Sequence, residues 1–316
     1  MPETPPPPAI TVDGLTKRFA GTVAADRLSF TVETGELFGL VGPDGAGKTT
    51  AMRMLAGVMT PDAGSATVAG CDVVHDPEGV KSHISYMPQG FGLYEELTVD
   101  ENLRFYGDLF GVARAEREER AGRLLAASGM ARFRDRLAGQ LSGGMKKKLG
   151  LSCALIHTPR VLLLDEPTTG VDPVSRRDFW RILYGLVAAG VTVVTSTAYL
   201  DEAERCHRLA LLHQGRLVLC DTPANLKSHM PGAVVAVASP APDAVRDQLR
   251  QAPGVSSILV VGDGIHLVVD DAARRIPEIR SRLRAAELPF TEVAPIMPTI
   301  EDVFVAAVST PLKGSR

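Results

Sequence analysis

LFGLVGPDGAGKTT, residues 37–50, opens as an uninterrupted apolar run and closes as a glycine-rich turn carrying one lysine and two threonines. Leu37–Val41 reads as a buried strand, and Thr49–Gly57 reads as the helix that follows. The turn between them fits G-x-x-x-x-G-K-T, a spacing that gains chemical meaning only in this strand–loop–helix context. Glycines let successive backbone N–H groups turn inward around an anion at a helix N-terminus. Lys48 is then placed for the β- and γ-phosphates of a nucleotide, and the Thr49 hydroxyl for a Mg²⁺ ion. Gly42, Pro43, Asp44, Gly45, Ala46, Gly47, Lys48, Thr49 and Thr50 are the candidate phosphate cradle.

Outward from this loop, short apolar runs recur at Leu28–Val32, Ile84–Met87, Val161–Leu164, Val191–Thr195 and Leu209–Leu212. Helical spacing at Arg176–Ala189 and Leu200–Cys206 separates several of them. Uniformly apolar strands alternating with helices predict an α/β fold, a mostly parallel sheet covered on both faces. Helices alone fill residues 98–157, including Thr98–Phe110 and Ala115–Ser128, so about 90–157 reads as an inserted helical subdomain. Beyond residue 230 the order is strand Ala233–Ala238, helix Pro242–Gln251, strands Ser256–Val261 and Ile265–Val269, helix Ala272–Ala286, strand Phe290–Ala294 and helix Ile300–Val308. That is the βαββαβ pattern of a small ferredoxin-like α+β domain, plus one helix. The expected organisation is a disordered proline-rich leader over 1–8, a nucleotide-binding domain over 9–230 and an accessory domain over 231–316.

The bulk numbers narrow the partners. A chain of 316 residues suggests about two domains. A net charge of −3 gives no reason to expect nucleic acid. The lysine run 146–148 and the arginine-rich stretch 114–136 read as solvated helix faces. The four cysteines lack metal-ligand spacing and read as reduced thiols. The N-terminus has no signal-peptide pattern. No apolar stretch approaches the roughly 20 residues a spanning helix needs. The expectation is a soluble protein that reaches a membrane only through a partner.

Two further motifs carry chemistry. VLLLDEP, residues 161–167, ends an apolar strand in Asp165, a carboxylate for the Mg²⁺ shell, and Glu166, able to orient and deprotonate a water. LSGGMKKKLGL, residues 141–151, sets Ser142, Gly143 and Gly144 at a helix start, a second nest of donors for an anion. Read alone, this could equally be an N-cap and a turn.

One chain with two such nests resembles the ATP-binding cassette (ABC) ATPases, over about residues 9–222. GPDGAGKT is similar to the family's phosphate loop, LSGGM to its signature and VLLLDEP to its Mg²⁺ strand with catalytic glutamate. TGVDP, residues 169–173, is similar to its dimer-contact loop, which implies a role for Asp172. MPQGFGLYEELTV implies that Gln89 ligates Mg²⁺, serves catalysis and faces a membrane partner, and TKRFAG implies that Phe19 stacks on adenine. The resemblance implies head-to-tail pairing, with Ser142, Gly143, Gly144 and Asp172 serving the nucleotide of a second cassette. It implies ATP and Mg²⁺ as cofactors, and a place at the inner face of the cell membrane against separate permease chains. PTIEDVFV, residues 298–305, resembles the end of ATPases serving ABC-2 type exporters of the drug-resistance kind. GPDGAGKTT, MPQGFGLYEELTV and STAYLDEAERC together are most similar to the first cassette of tandem-cassette members.

One position departs from that pattern. STAYLDEAE keeps the frame in which the family has a histidine touching the γ-phosphate, but residue 198 is alanine. Losing a transition-state donor of this kind costs about 10²–10³ in rate. Asp44 and Met145 are milder departures, in place of the commoner Asn and Gln. The expectation is a site that binds ATP well and hydrolyses it slowly, and a signature that completes a competent site on a histidine-bearing partner. The leading function is the ATPase of an exporter; the alternative is a nucleotide-gated regulatory or assembly subunit. Soluble cassettes of translation or repair need a second cassette or long coiled-coil insertions. P-loop kinases and GTPases do not need LSGGM.

Overall fold

The structure, a computed structural model, describes residues 7–90 and 92–309. They form two compact units, the first holding residues 7–199 and 206–217, the second 200–205 and 218–309. Of the expected leader, residues 1–6 lie outside the described residues, and the Pro7 carbonyl accepts a hydrogen bond from Thr34 Oγ1 at 3.1 Å.

Five parallel strands form the core of the first unit, in the order Arg208–His213, Leu37–Val41, Thr192–Thr197, Val161–Asp165, Ile84–Met87. Every residue of Leu37–Val41, Val161–Asp165 and Thr192–Thr197 is buried, which is why these strands read as runs and not as alternations. Helix Pro173–Ala188 sinks Phe179, Trp180 and Leu183 against Leu162, Leu164 and Val193.

Leu28–Val32 belongs elsewhere than the sequence suggests. It ends the strand Thr22–Val32, which pairs antiparallel with Ile10–Phe19 in a separate sheet completed by Ala63–Val68 and Cys71–Asp72. Ile10–Asp13 alternates buried and exposed, as a sheet with one wet face should. Register shifts soon after Val12 break that alternation and hide the strand from a periodicity reading. Where this strand passes Ala63–Val68, glycine is required: a Cβ on Gly64, at φ +80, would fall 2.3 Å from the Gly14 carbonyl oxygen.

The helical insertion joins two neighbouring strands of the parallel sheet, Ile84–Met87 and Val161–Asp165. Its helices Val99–Leu109, Arg114–Ala127 and Gly143–Ala154 share a core of Val99, Leu103, Leu125, Leu149, Cys153 and Ile156. Thr98 and Glu101 form a reciprocal capping box at its entrance.

In the second unit the strands are antiparallel in the order Val255–Val261, Gly264–Val269, Ala233–Ala238, Glu292–Ile296. Numbered along the chain this is 2-3-1-4, with helices Pro242–Leu249 and Ala272–Ala285 supplying the two crossovers of a βαββαβ unit. Alternation divides the faces. Val235, Val237, Leu267 and Val269 meet Val245, Leu249, Ile279 and Leu283 of those helices. Val234 and Val268 point to the other face and meet Ala306 of the final helix, Ile300–Ser309. This unit starts at Val218, earlier than residue 231. The reason is that Leu219, Leu226 and Met230 face Val303 and Ala306 across a cleft of about 400 Å³. Lys227 pairs with Glu204 at 3.3 Å, which draws in residues 200–205. Among the described residues, no helix is long and apolar enough to cross a membrane.

Candidate functional site

Two glycines fix the loop after Leu37–Val41. A Cβ on Gly42 would lie 2.2 Å from the Leu212 carbonyl oxygen, and one on Gly47, at φ +99, would lie 2.3 Å from that of Ala24. The helix Lys48–Leu55 that starts here has no acidic residue in its first turn, so its positive end stays uncompensated for an anion. Lys48 is 3% exposed. Its Nζ donates to the carbonyls of Gly42 at 2.8 Å and Pro43 at 3.0 Å, and pairs with Glu166 Oε1 at 3.1 Å. A buried ammonium keeps its charge only with such partners. The cleft over the loop, about 460 Å³, is bordered by Asp44, Lys48, Thr49, Thr50, Gln89 and Glu166 among others.

Asp165 lies behind Thr49 and is 1% exposed. Its Oδ1 accepts from Ser196 Oγ at 2.6 Å and Thr49 Oγ1 at 3.1 Å, and its Oδ2 accepts from the Tyr86 hydroxyl at 3.3 Å. Burial, reinforced by the Asp165 charge, pushes the Tyr86 hydroxyl up to about 12, so it serves as a donor. Glu166 sits at φ +48, a left-handed conformation rare for a residue with a side chain. Its Oε2 accepts from Gln89 Nε2 at 3.2 Å and Thr169 Oγ1 at 3.3 Å. Its backbone N–H donates to Ser196 Oγ at 2.9 Å. Ser196 therefore brackets the metal-type carboxylate and the strained peptide beside it, a role the sequence reading missed. The signal was the polar tip, Thr195-Ser196-Thr197, on an otherwise apolar buried strand.

Ser196→Ala removes a buried hydrogen bond to a carboxylate and orphans the Glu166 N–H. It is expected to lower unfolding free energy by about 2–3 kcal/mol in a denaturant titration; an unchanged midpoint would sink this assignment.

The other sequence candidates lie apart from Lys48. Ser142 caps Gly143–Ala154, its Oγ accepting from Met145 N at 3.3 Å. Gly144 lies so close to the start of helix Pro173–Ala188 that a Cβ would sit 2.5 Å from Ser175 Oγ. Asp172 caps Pro173–Ala188 by accepting from Ser175 N at 2.9 Å and Val174 N at 3.1 Å. Those bonds, first that from Ser175, hold its carboxyl below the usual range. The signature and Asp172 are thus neighbours, yet Ser142, Gly143, Gly144 and Asp172 do not border the phosphate-loop cleft. Nor does Phe19, which is 45% exposed at a strand end with Lys17 Nζ 5.6 Å from its ring centre.

Ala198 follows the strand Thr192–Thr197 directly at the loop. The Thr197 carbonyl accepts from Gly42 N at 3.2 Å, and Thr197 Oγ1 accepts from Tyr199 N at 3.0 Å. The Arg176 guanidinium lies 4.5 Å over the Tyr199 ring.

The run Lys146-Lys147-Lys148 is not the solvated face that the sequence suggests. Lys146 pairs with Glu95 at 2.6 Å, Lys147 Nζ donates to the Gln89 carbonyl at 2.7 Å, and Lys148 pairs with Asp178 at 2.9 Å. Burial pulls the Lys147 ammonium below the ordinary lysine range, against the opposing pull of Asp165 and Glu166.

Comparison with known proteins agrees with this geometry. Residues 25–169 match the ABC transporter family. The chain is 44% identical over 301 residues to the probable multidrug ABC transporter ATP-binding protein YbhF of Escherichia coli (strain K12), covering 94% of this chain and 51% of that one. It therefore spans about half the length of that relative. It is 36% identical over 302 residues to the daunorubicin resistance ATP-binding protein DrrA2 of Streptomyces coeruleorubidus, 94% of each chain. A solved ATP-binding subunit of an ABC transporter superposes with a TM-score of 0.64 at 30% identity, over 70% of this chain and 92% of that one.

Proposed function

This chain belongs to the ABC transporter family of ATP-binding proteins, and from that premise we propose that it is the Mg-ATP-dependent motor subunit of an ABC-2 type exporter. The observation that carries this reading is the meeting of Lys48, Thr49, Gln89 and Glu166 at one cleft, with the buried Asp165 bonded to Thr49 behind it. The residues suit the ligand: a backbone cradle that a Cβ would fill at Gly42 and Gly47, and an oxygen set from Thr49, Asp165 and Gln89 of the hard kind Mg²⁺ takes.

Residues 42–50 wrap the phosphates with backbone donors, and Lys48 neutralises the β- and γ-phosphates. Thr49, Asp165 and Gln89 hold the cation. Mg²⁺ held there would supply positive charge against the negative charge that develops on the phosphates during transfer. Phosphate at Lys48 competes with Glu166 Oε1 for the ammonium, which frees that carboxylate oxygen to accept a proton from water. Phe19 stacks on the adenine. Ser142, Gly143, Gly144 and Asp172 serve in trans, completing the site of a second cassette. Their separation from this chain's own cleft supports that arrangement. Ala198 makes the chain's own site slow and favours a different, histidine-bearing partner.

The relatives' names, multidrug transport and daunorubicin resistance, support export as the direction, with separate permease chains at the inner face of the membrane as partners. The accessory domain serves the ATPase dimer or the contact with those chains. A second reading, a nucleotide-gated regulatory subunit, draws on Ala198. Purifying the tagged chain from detergent-solubilised membranes distinguishes the two. The motor reading expects a multi-span protein to co-purify and to raise the ATPase rate; recovery in a purely soluble complex would replace it with the regulator.

A further inference from the structure

We propose that Lys147 is a positioning residue that sets Gln89 for the cation, and so ties the state of the signature helix to this chain's own nucleotide site. The inference rests on the reading of Gln89 as a Mg²⁺ ligand.

Gln89 lies just past the strand Ile84–Met87, in a stretch whose described residues form no helix or strand. Its main chain has no ladder to hold it, so the Lys147 hydrogen bond to its carbonyl, 2.7 Å, does that work from outside the loop. The Gln89 amide then reaches Glu166 Oε2 at 3.2 Å, which places it beside the residue that follows Asp165.

The lysine that supplies this bond is five residues beyond Ser142 on one rigid helix, a rise of about 7 Å. That helix opens with Gly143 and Gly144, the donors assigned to a partner's nucleotide. On the same helix, Lys148 pairs with Asp178 of the helix that Asp172 caps. A shift of the signature therefore moves the Gln89 loop and the Asp172 loop together. The lysine run is a clasp between elements that sequence motifs treat as separate.

The test measures Mg²⁺ dependence of binding, using the full chain and the fluorescence of a methylanthraniloyl-ATP probe. Lys147→Met is expected to raise the Mg²⁺ midpoint about tenfold, as loss of a partner that orients a metal ligand does. Probe binding without metal stays at the wild-type level, which reports an intact fold. Lys147→Arg, keeping a cationic donor, is expected to recover most of the shift. Lys146→Met removes only a pair whose Glu95 side is mostly in solvent, and leaves the midpoint unmoved. Gln89→Ala is run beside them. A shift for Gln89→Ala with none for Lys147→Met overturns this inference alone. No shift for Gln89→Ala overturns the Mg²⁺ role of Gln89, and the inference with it.

Discussion

Replacing Ala198 with histidine is expected to raise the steady-state ATPase rate of the purified chain by about 10²–10³, the usual worth of one transition-state donor. The position is already framed. Ser196 is in register with Asp165, and Thr197 with Val41 at the mouth of the phosphate loop, so residue 198 follows directly where loop and carboxylates meet. Neighbouring hydroxyls are committed elsewhere: Ser196 Oγ to Asp165 and the Glu166 N–H, Thr197 Oγ1 to the Tyr199 N–H. Neither hydroxyl is left to stand in for an imidazole in these bonds. The wild-type chain is therefore expected to turn over slowly while binding ATP normally. Glu166→Gln is expected to silence both the wild type and Ala198→His without loss of ATP binding, because it removes the base and keeps the shape. The opposite result is informative. Brisk wild-type turnover that only Glu166→Gln stops would mean the alanine is tolerated, and a homodimeric motor would become the better account.

What the sequence revealed and what it hid divide along one physical line. The phosphate loop was legible because its chemistry is local: Gly42, Gly47 and Lys48 act within a few residues and between a strand and a helix recognisable by composition. Asp165 and Glu166 were legible for the same reason, at the end of an apolar run. Ser196, Tyr86 and Lys147 were not, because their meaning lies in contacts to residues 31, 79 and 58 positions away. No local spacing encodes those meetings. The antiparallel sheet was missed because register shifts interrupt the period-2 pattern of its first strand, whereas Ala233–Ala238 of the second unit pairs without a shift on either side and reads as one apolar run. The lysine run misled for the complementary reason. Charge on a helix usually faces water, and nothing in the run itself says that Glu95, the Gln89 carbonyl and Asp178 are waiting for it.

Lys48→Met is expected to weaken ATP binding by about 10²–10³ while the protein stays folded, as measured by calorimetric titration beside a thermal melt. Charge-assisted hydrogen bonds are worth about 1.5–3 kcal/mol each, and each 1.4 kcal/mol is about tenfold in affinity. Losing the buried ammonium of Lys48 removes at least one such bond to phosphate and leaves the polyphosphate charge facing Glu166 and Asp165. The fold tolerates the change because methionine fills the same slot, and Glu166 retains Gln89 and Thr169 as donors. The Gly42 and Pro43 carbonyls lose their donor, which costs some stability, but a buried charge leaves with it. Lys48→Arg is not expected to rescue binding. A planar guanidinium cannot reproduce a point charge held at about 3 Å from two adjacent carbonyls and a carboxylate inside a pocket that leaves lysine 3% exposed. The two experiments separate two expected effects, affinity at Lys48 and turnover at residue 198. Undiminished affinity in Lys48→Met would move the nucleotide out of this cleft, and with it every role assigned to Asp165, Glu166 and Gln89.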